Sequence, residues 1–344
     1  MIESPSPLRM LLSRHTRRRE FIALAITAVA WPLTARTQQA GKMYRVGVLN
    51  AGPSVTTPQT EAFETGLREE GFVAGRNLMF EHRFAEGALE RLPAMAAELV
   101  GINVDVIVVR GPAPMQAARA ATTKIPIVMA AGSIDPVGEG LIASFARPGG
   151  NITGVTYSDS PDRFAKEVDV LREAVGPISR IAILWDLDAE YYRRSWSPAI
   201  ERAAGQLGLR ILGPFQVRDG ADFERAFAAM TEQRAEAVLV SAGSVAFPNR
   251  IRVGELGVQH RLPIVAAFKE FPQAGCLISY GPNIVAIHRR AAAFVGKILR
   301  GSNPGELPVE NPTTYDLVIN LKTAKALGLK IPPALLVRAD EVIE

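Results

Sequence analysis

Residues 105–141 read DVIVVRGPAPMQAARAATTKIPIVMAAGSIDPVGEGL, and this stretch decides the fold. Its apolar runs at residues 106–109 and 125–130 flank a segment with the small-residue pattern of a helix. Short β-branched runs separated by helical segments are typical of buried parallel strands. Ligands of open parallel sheets bind beyond the carboxyl ends of the strands, so the loops at residues 110–116 and 131–137 are the first candidates for a binding surface.

The alternation of strands and helices continues through the chain and is repeated. The strand predicted at residues 180–185 matches the one at residues 45–50, and later runs match in the same order. The later matches are residues 237–241 with 106–110 and residues 262–266 with 125–129. An internal repeat of this kind predicts two similar units. We therefore predict an α/β fold of two doubly wound, Rossmann-like lobes with parallel sheets.

Extended segments between the repeats predict a hinge. The chain would cross between the lobes three times, at residues 153–158, 279–283 and 305–312. The first lobe would then contain residues 43–155 plus 282–305, and the second lobe residues 156–281 plus 306–344. Strand ends that face each other across such a hinge form a cleft that a ligand can close.

Residues 1–37 have the order of an export signal. The arginines at 17–19 precede the apolar run of residues 22–31, and Phe21 lies two positions after the second arginine of a twin pair. The run is too short to span a bilayer, and its apolar character on every face argues against an amphipathic helix of the folded protein. We predict a twin-arginine signal that is cleaved near residues 37–40, and a periplasmic protein.

The net charge argues against nucleic acid as a partner. The formal charge of the 344 residues is +4, and residues 1–37 carry six arginines and two glutamates, which is 6 − 2 = +4. The remaining chain is therefore neutral and lacks the basic surface of a nucleic-acid binder. Cys276 is the one cysteine and is expected to be a buried, small apolar residue.

Motifs for catalysis and cofactors are missing from the sequence. No Walker lysine, Gly-x-Ser-x-Gly elbow, His-Glu-x-x-His pair or cysteine cluster occurs, and Gly138-x-Gly140 lacks the strand-to-helix turn of a dinucleotide site. We expect no cofactor, no metal and no catalytic residue, and hence no enzyme. Asp186 and Glu270 leave one enzymatic alternative open, an acid-base pair of unknown separation.

In the first lobe, candidate ligand-binding residues follow the predicted strands. They are Asn50, Gly52, Gly111, Pro112, Gln116, Ser133 and Asp135. Asp135 would bind a ligand ammonium or cap the helix predicted from Val137. Ser133 and the amides near Gly132 would accept a carboxylate or form a plain turn. Gln116 would hydrogen-bond the ligand or face solvent.

In the second lobe, the candidates combine aromatic walls with polar loop residues. They are Trp185, Asp186, Tyr191, Ser241, Gly243, Phe268, Glu270 and Tyr280. The aromatic residues would form the walls of an apolar ligand pocket or pack in the core. Asp186 and Glu270 would bind a cation or remain solvated loop carboxylates.

Several longer motifs carry a family resemblance, which spans residues 41–344 and includes one motif in the leader. They are RREFI at 18–22, YRVGVL at 44–49, GLREEGF at 66–72, AAGSIDPVG at 130–138, ARPGGNITG at 146–154, SYGPN at 279–283 and NLKTAKALG at 320–328. In these motifs the chain resembles the ABC-transporter substrate-binding proteins related to tryptophan- and tyrosine-binding proteins. Two features depart from the family: Asp186 stands where relatives often have Asn-Pro, and the leader has no cysteine that could accept a lipid.

The resemblance implies a type I periplasmic-binding-protein fold joined by a three-strand hinge. It also implies closure on a small solute and delivery to an ABC permease in the inner membrane, by a protein we expect to be a monomer. The ligand we expect is an amino acid or a related carboxylate. The alternatives are a periplasmic ligand sensor for a membrane receptor and, less well supported, a periplasmic enzyme that uses cleft carboxylates. A DNA-binding repressor is disfavoured because no helix-turn-helix pattern is present.

Overall fold

The computed structural model describes residues 42–52, 54–133, 135–157, 161–186, 197–241 and 245–344, so the predicted leader lies outside the described residues. The strands are β1 (Tyr44–Asn50), β2 (Leu78–Phe84), β3 (Val106–Arg110), β4 (Ile127–Ala130), β5 (Ile152–Val155), β6 (Arg180–Trp185), β7 (Arg210–Gln216), β8 (Ala237–Val240), β9 (Ile264–Ala266), β10 (Ile278–Pro282), β11 (Tyr315–Asn320) and β12 (Glu341–Ile343). The helices are α1 (Pro58–Glu69), α2 (Leu92–Gly101), α3 (Pro112–Ala121), α4 (Pro161–Val175), α5 (Ser197–Gln206), α6 (Asp222–Glu232), α7 (Arg250–Gln259), α8 (Glu270–Gln273), α9 (Ile284–Leu299), α10 (Leu321–Ala326) and α11 (Pro333–Arg338).

The strand order of the two sheets confirms the repeat. The first sheet runs β2-β1-β3-β4-β5, and the second runs β7-β6-β8-β9-β10-β11-β12, so β1 and β6 hold equivalent places. The first sheet is parallel throughout its described pairs. The second departs from the prediction because β10 and β11 pair antiparallel, and β12 extends the sheet beyond the predicted strands. The predicted α/β fold with two doubly wound lobes is confirmed.

Alternation along the strands divides the first lobe into two apolar layers. Val46 and Val48 belong to the same buried cluster as residues of α1 and α9, whereas Leu49 belongs to a second cluster with residues of α2 and α3. Successive side chains of a strand point to opposite faces, which explains this division. Any residue of β1 to β3 can therefore be assigned to one layer from its position.

Helix α9 follows the crossing at residues 279–283 and packs on α1. Close contact between the helices depends on Gly66, since a Cβ there would lie 2.7 Å from the Cβ of Ala292 and 2.9 Å from the carbonyl oxygen of Arg289. A larger residue would force the helices apart. Gly66 thus allows α9, which follows a crossing, to pack closely on α1 of the first lobe.

The predicted crossings lie side by side between the lobes. The backbone N–H of Thr156 donates to the carbonyl of Glu310 at 2.9 Å, and that of Asn283 donates to the carbonyl of Thr314 at 3.0 Å. Gly281 lies so close to the end of the neighbouring strand β9 that a Cβ on it would be 1.8 Å from the carbonyl oxygen of Ala267. These contacts give the three-strand hinge a defined backbone path.

The helix predicted from Val137 is wrong. Residues 136–140 form a turn instead, in which the N–H of Gly138 donates to Oδ1 of Asp135 at 2.8 Å. Gly140 has a φ of 65°, which a right-handed helix does not accommodate.

Within the described ranges, no helix is long and apolar enough to cross a bilayer.

Candidate ligand-binding site

The carboxyl ends of the first sheet bring a charged residue under α1. The register of β1 places Asn50 beside Phe84 on one side and Arg110 on the other. Alternation then puts the Arg110 side chain on the layer that contains α1 and α9. Its Nη1 donates to Oγ1 of Thr60 at 3.2 Å, and its Nε donates to Nε2 of His288 at 2.8 Å.

A pocket that opens to solvent lies around this arginine. Its apolar wall consists of Val48, Phe63, Phe80, Phe84 and Val108. Its polar wall consists of Thr60, Glu64, His82, Arg110 and His288. An apolar lining with a small number of polar groups is the usual character of a small-molecule site.

His288 is a neutral partner for Arg110. Its Nδ1 lies 2.8 Å from the carbonyl oxygen of Ile284, which fits a proton on Nδ1 and leaves Nε2 as an acceptor for the arginine. Burial, together with the nearby Arg110 charge, lowers the pKa of His288 to about 3. The imidazole therefore stays uncharged at neutral pH.

Arg110 keeps its charge without a carboxylate partner. Burial lowers the pKa of Arg110 to about 10, which still leaves the guanidinium protonated at neutral pH. In the part of the chain that the structure describes, no Asp or Glu forms an ion pair with it within 4.0 Å. Charges withdrawn from water are normally paired, so this half-buried cation is an unusual feature.

His82 forms part of the same wall between two phenylalanines. Its ring centroid lies 5.4 Å from that of Phe80 and 5.4 Å from that of Phe84, and both pairs are stacked. Burial lowers the pKa of His82, and the nearby Arg110 charge lowers it further while Glu64 opposes the shift. The pocket therefore favours an uncharged His82.

Glu139, which the sequence analysis missed, gathers the polar candidates of the first lobe. One of its carboxylate oxygens accepts from the hydroxyl of Ser133 at 2.7 Å, and the other accepts from the amide of Gln116 at 3.1 Å. An anion at Ser133 would face the Glu139 carboxylate, which favours the alternative of a plain turn, and a ligand contact of Ser133 stays a prediction. Gln116 is exposed, which agrees with the alternative that it faces solvent.

Other first-lobe candidates lie at the same sheet edge and shape the backbone. Oδ1 of Asn50 accepts from the N–H of Gly52 at 3.0 Å, which holds the turn after β1. Gly111 precedes α3 with a φ of 98°, and Pro112 is the first residue of that helix. Asp135 caps the turn described above, and the structure leaves its role toward a ligand a prediction.

Asp186 organises the strand ends of the second lobe. Its Oδ1 accepts from the hydroxyl of Ser241 at 3.0 Å, and its Oδ2 accepts from the N–H groups of Val245 and Ala246 at 2.9 and 2.6 Å. Neither a free cation site nor a solvated carboxylate describes this residue, because backbone and hydroxyl donors already surround both oxygens. Its contacts fit a structural role in the loop.

The aromatic candidates of the second lobe have different surroundings. Trp185 is fully buried in the core of that lobe, so its ring packs internally and does not form a ligand wall. Tyr280 stacks on Tyr315, with ring centroids 5.8 Å apart. Tyr191 and Gly243 lie outside the described residues.

A buried ion pair lies in α4 of the second lobe. Arg163 and Glu167 form it one helical turn apart, and their side chains are only 4% and 1% exposed. Burial raises the pKa of Glu167 to about 7, although the charge of Arg163 opposes the shift. The buried arginine of the second lobe is thus paired with an acidic side chain of its own helix.

The lobes contact each other where Phe268 and Glu270 were predicted. Nε2 of Gln59, in the first turn of α1, donates to Oε1 of Glu270 at 2.9 Å. The ring of Phe268 lies 5.2 Å from that of Tyr157, which lies within the first crossing. Burial raises the pKa of Glu270, with its backbone N–H, Lys269 and Arg250 opposing the shift. Glu270 is half-buried, and its role toward a ligand stays a prediction.

Sequence signals for the missed residues exist but are weak. Arg110 is a charge at the end of an otherwise apolar strand, and His288 is a polar residue on the buried face of α9. Gln59 and Glu270 are 211 positions apart, so no local pattern could join them. Groups of three or more metal-ligating His, Cys, Asp or Glu side chains are not found among the described residues.

Comparison with known proteins assigns the family. A family model for ABC transporter substrate binding proteins matches residues 46–343. The chain belongs to this family of substrate-binding proteins. The match covers both sheets and the hinge.

Individual relatives of this substrate-binding protein agree with the assignment. A curated tyrosine-binding protein of Clostridioides difficile is 22% identical over 270 residues, which cover 78% of this chain and 76% of the relative. A conserved domain protein from Vibrio cholerae is 28% identical with a TM-score of 0.79, covering 88% of this chain and 100% of that one. A domain from Streptococcus pneumonia in complex with L-Trp is 24% identical with a TM-score of 0.78, over the same shares of the two chains. The type I periplasmic-binding-protein fold is thereby confirmed.

Proposed function

We propose that this protein is the solute-binding component of an ABC importer and that its two lobes close on an amino acid or a related carboxylate. The observation that carries the proposal is the meeting of both lobes at their strand ends, where Gln59 bonds to Glu270 beside the ring pair of Tyr157 and Phe268. A hinge with such contacts across the cleft suits binding and release of a small molecule.

The chemistry of the first-lobe strand ends supports an amino acid. The pocket around Arg110 combines a cation, a carboxylate on Glu64 and three phenylalanines. Two relatives carry names or bound ligands of the same class, tyrosine and L-Trp. The proposal therefore favours amino acids with an aromatic or apolar side chain.

Export and partners complete the proposal. The twin-arginine leader at residues 1–37 would deliver a folded monomer to the periplasm, where it passes its ligand to a permease. In this proposal the lobes have the predicted bounds, residues 43–155 plus 282–305 and residues 156–281 plus 306–344. The protein would act by binding and release, with no chemical change to the ligand.

A thermal-shift screen tests the function directly. Residues 38–344 would be heated with each of the twenty amino acids, aromatic acids, nucleosides and sugars, and each hit would be recovered and identified. Specific binding raises the melting temperature by mass action, so we expect a hit among the amino acids that is recovered unchanged. Conversion of the hit into a product would favour an enzyme, and hits confined to sugars or nucleosides would reject the ligand class.

A further inference from the structure

The pocket around Arg110 has a charge pattern that the fold alone does not require. The guanidinium bonds only to the neutral groups Thr60 and His288 among the described residues, at 3.2 and 2.8 Å. A cation removed from water without a counter-ion destabilises the protein. Such a residue suits a site whose counter-ion arrives with the ligand.

Glu64 adds a second charge to the same pocket. It lies on α1 one turn after Thr60 and lines the pocket without forming an ion pair with Arg110. The charges of both residues act on His82, so both charges lie near that ring. A simple anion would be attracted by Arg110 and repelled by Glu64, whereas a zwitterion satisfies both.

We infer that Arg110 binds the carboxylate of an amino-acid ligand and that Glu64 binds its ammonium group. This inference rests on the proposed function and makes it more specific. Arginine is well suited to the task because its planar N–H groups match a carboxylate in two-point geometry. Phe63, Phe80 and Phe84 provide the apolar surface beside the two charges.

Position in the fold connects this pocket with the cleft. Arg110 ends β3, and Thr60 follows directly on Gln59, which contacts the second lobe. The pocket therefore lies at the edge of the first lobe that faces its partner lobe. A ligand held there would be in place when the lobes close.

Calorimetric titration of the full chain would test the inference with L-tyrosine, L-tryptophan and their carboxamides. We expect Arg110→Gln to weaken amino-acid binding by at least about 30-fold, the loss typical of a broken buried charge pair. Both carboxamides should bind the wild type similarly weakly. Glu64→Gln should weaken L-tyrosine more than 3-(4-hydroxyphenyl)propionate, which lacks the amine.

Arg68→Gln is the matched control, because Arg68 lies on the exposed side of α1 and loses the same charge. The ligand-free Arg110→Gln protein should melt within about 4 °C of the wild type, which separates binding from folding. Thr60→Val is a second variant that keeps the charge and should weaken binding to a smaller degree.

Two results would overturn the assignment in distinguishable ways. If the wild type binds an amino acid and Arg110→Gln binds it equally well, the assignment of Arg110 is wrong and the proposed function stands. If no amino acid binds while a neutral solute does, both the assignment and the proposed ligand class are wrong, and only the role as a binding protein remains.

Discussion

The two lobes share a strand order but differ in the partners of one arginine each, half-buried in the first lobe and buried in the second. In the first lobe Arg110 donates to the neutral groups Thr60 and His288. In the second lobe Arg163 is paired with the carboxylate of Glu167 in the same helix. Repetition of the fold therefore does not imply repetition of function. One lobe carries a cation suited to a ligand, whereas the other neutralises its cation internally.

The loop carboxylates of the two lobes differ in the number of hydrogen-bond donors around them. Asp186 of the second lobe accepts from one hydroxyl and two backbone N–H groups, while Asp135 of the first lobe accepts from the N–H of Gly138. Asp186 at the strand end of the second lobe is therefore held by more donors than Asp135 in the turn of the first lobe.

Breaking the buried pair should have the largest effect. Glu167→Ala leaves Arg163 buried without its carboxylate, and we expect the free energy of unfolding at pH 8 to fall by about 3–5 kcal/mol. Urea denaturation measures the change. The control is Glu173→Ala, which removes a surface pair with Arg338 and should cost less than about 1 kcal/mol. Equal losses in the two variants would show that burial gives the pair no special weight.

The same carboxyl predicts a pH dependence of stability. Burial raises the pKa of Glu167 from its ordinary value of 4.5 to about 7 in the folded protein. Between these values only the folded state holds the proton, so rising pH should lower the free energy of unfolding, by up to about 1.4 kcal/mol per pH unit. The decrease should be absent from Glu167→Gln, which does not titrate. If the difference between wild type and variant is constant from pH 4.5 to 7, Arg163 keeps the carboxylate ionised throughout.

The strands and the hinge could be predicted because they depend on local patterns. The apolar run of β3 and its match in β8 follow from hydrophobic periodicity, and the repeat follows from their order. The helix expected at Val137 failed because Gly138 and Gly140 favour a turn, which apolar spacing does not reveal. Local chemistry thus overrode a weak periodic signal.

The site could be predicted only in part. Carboxyl ends of strands gave the right edge of the sheet, and Phe268 and Glu270 do lie where the lobes meet. The contacts of individual side chains could not be predicted. Ser133 donates to the Glu139 carboxylate, and Trp185 packs in the buried core. Such assignments depend on which face of a strand a side chain occupies and on contacts across the chain. Neither is expressed in spacing along the sequence.

The loop carboxylates give the smallest expected effect and test the contrast between the lobes. Asp186→Ala leaves two backbone N–H groups and a hydroxyl without their acceptor, so we expect a loss of about 1–3 kcal/mol in the free energy of unfolding. Asp135→Ala removes the acceptor of one exposed N–H group and should cost about 1 kcal/mol or less. Urea denaturation of both variants gives the comparison.

Ligand affinity then decides what Asp135 does. If it only caps the turn, Asp135→Ala binds the amino acid identified in the thermal-shift screen as tightly as the wild type, because Arg110 and Glu64 hold both charges of that ligand. A loss of about 30-fold or more at unchanged stability would instead make Asp135 a partner of the ligand ammonium. The first lobe would then contribute two carboxylates to one site, and Glu64→Gln alone could no longer abolish the preference for an amine.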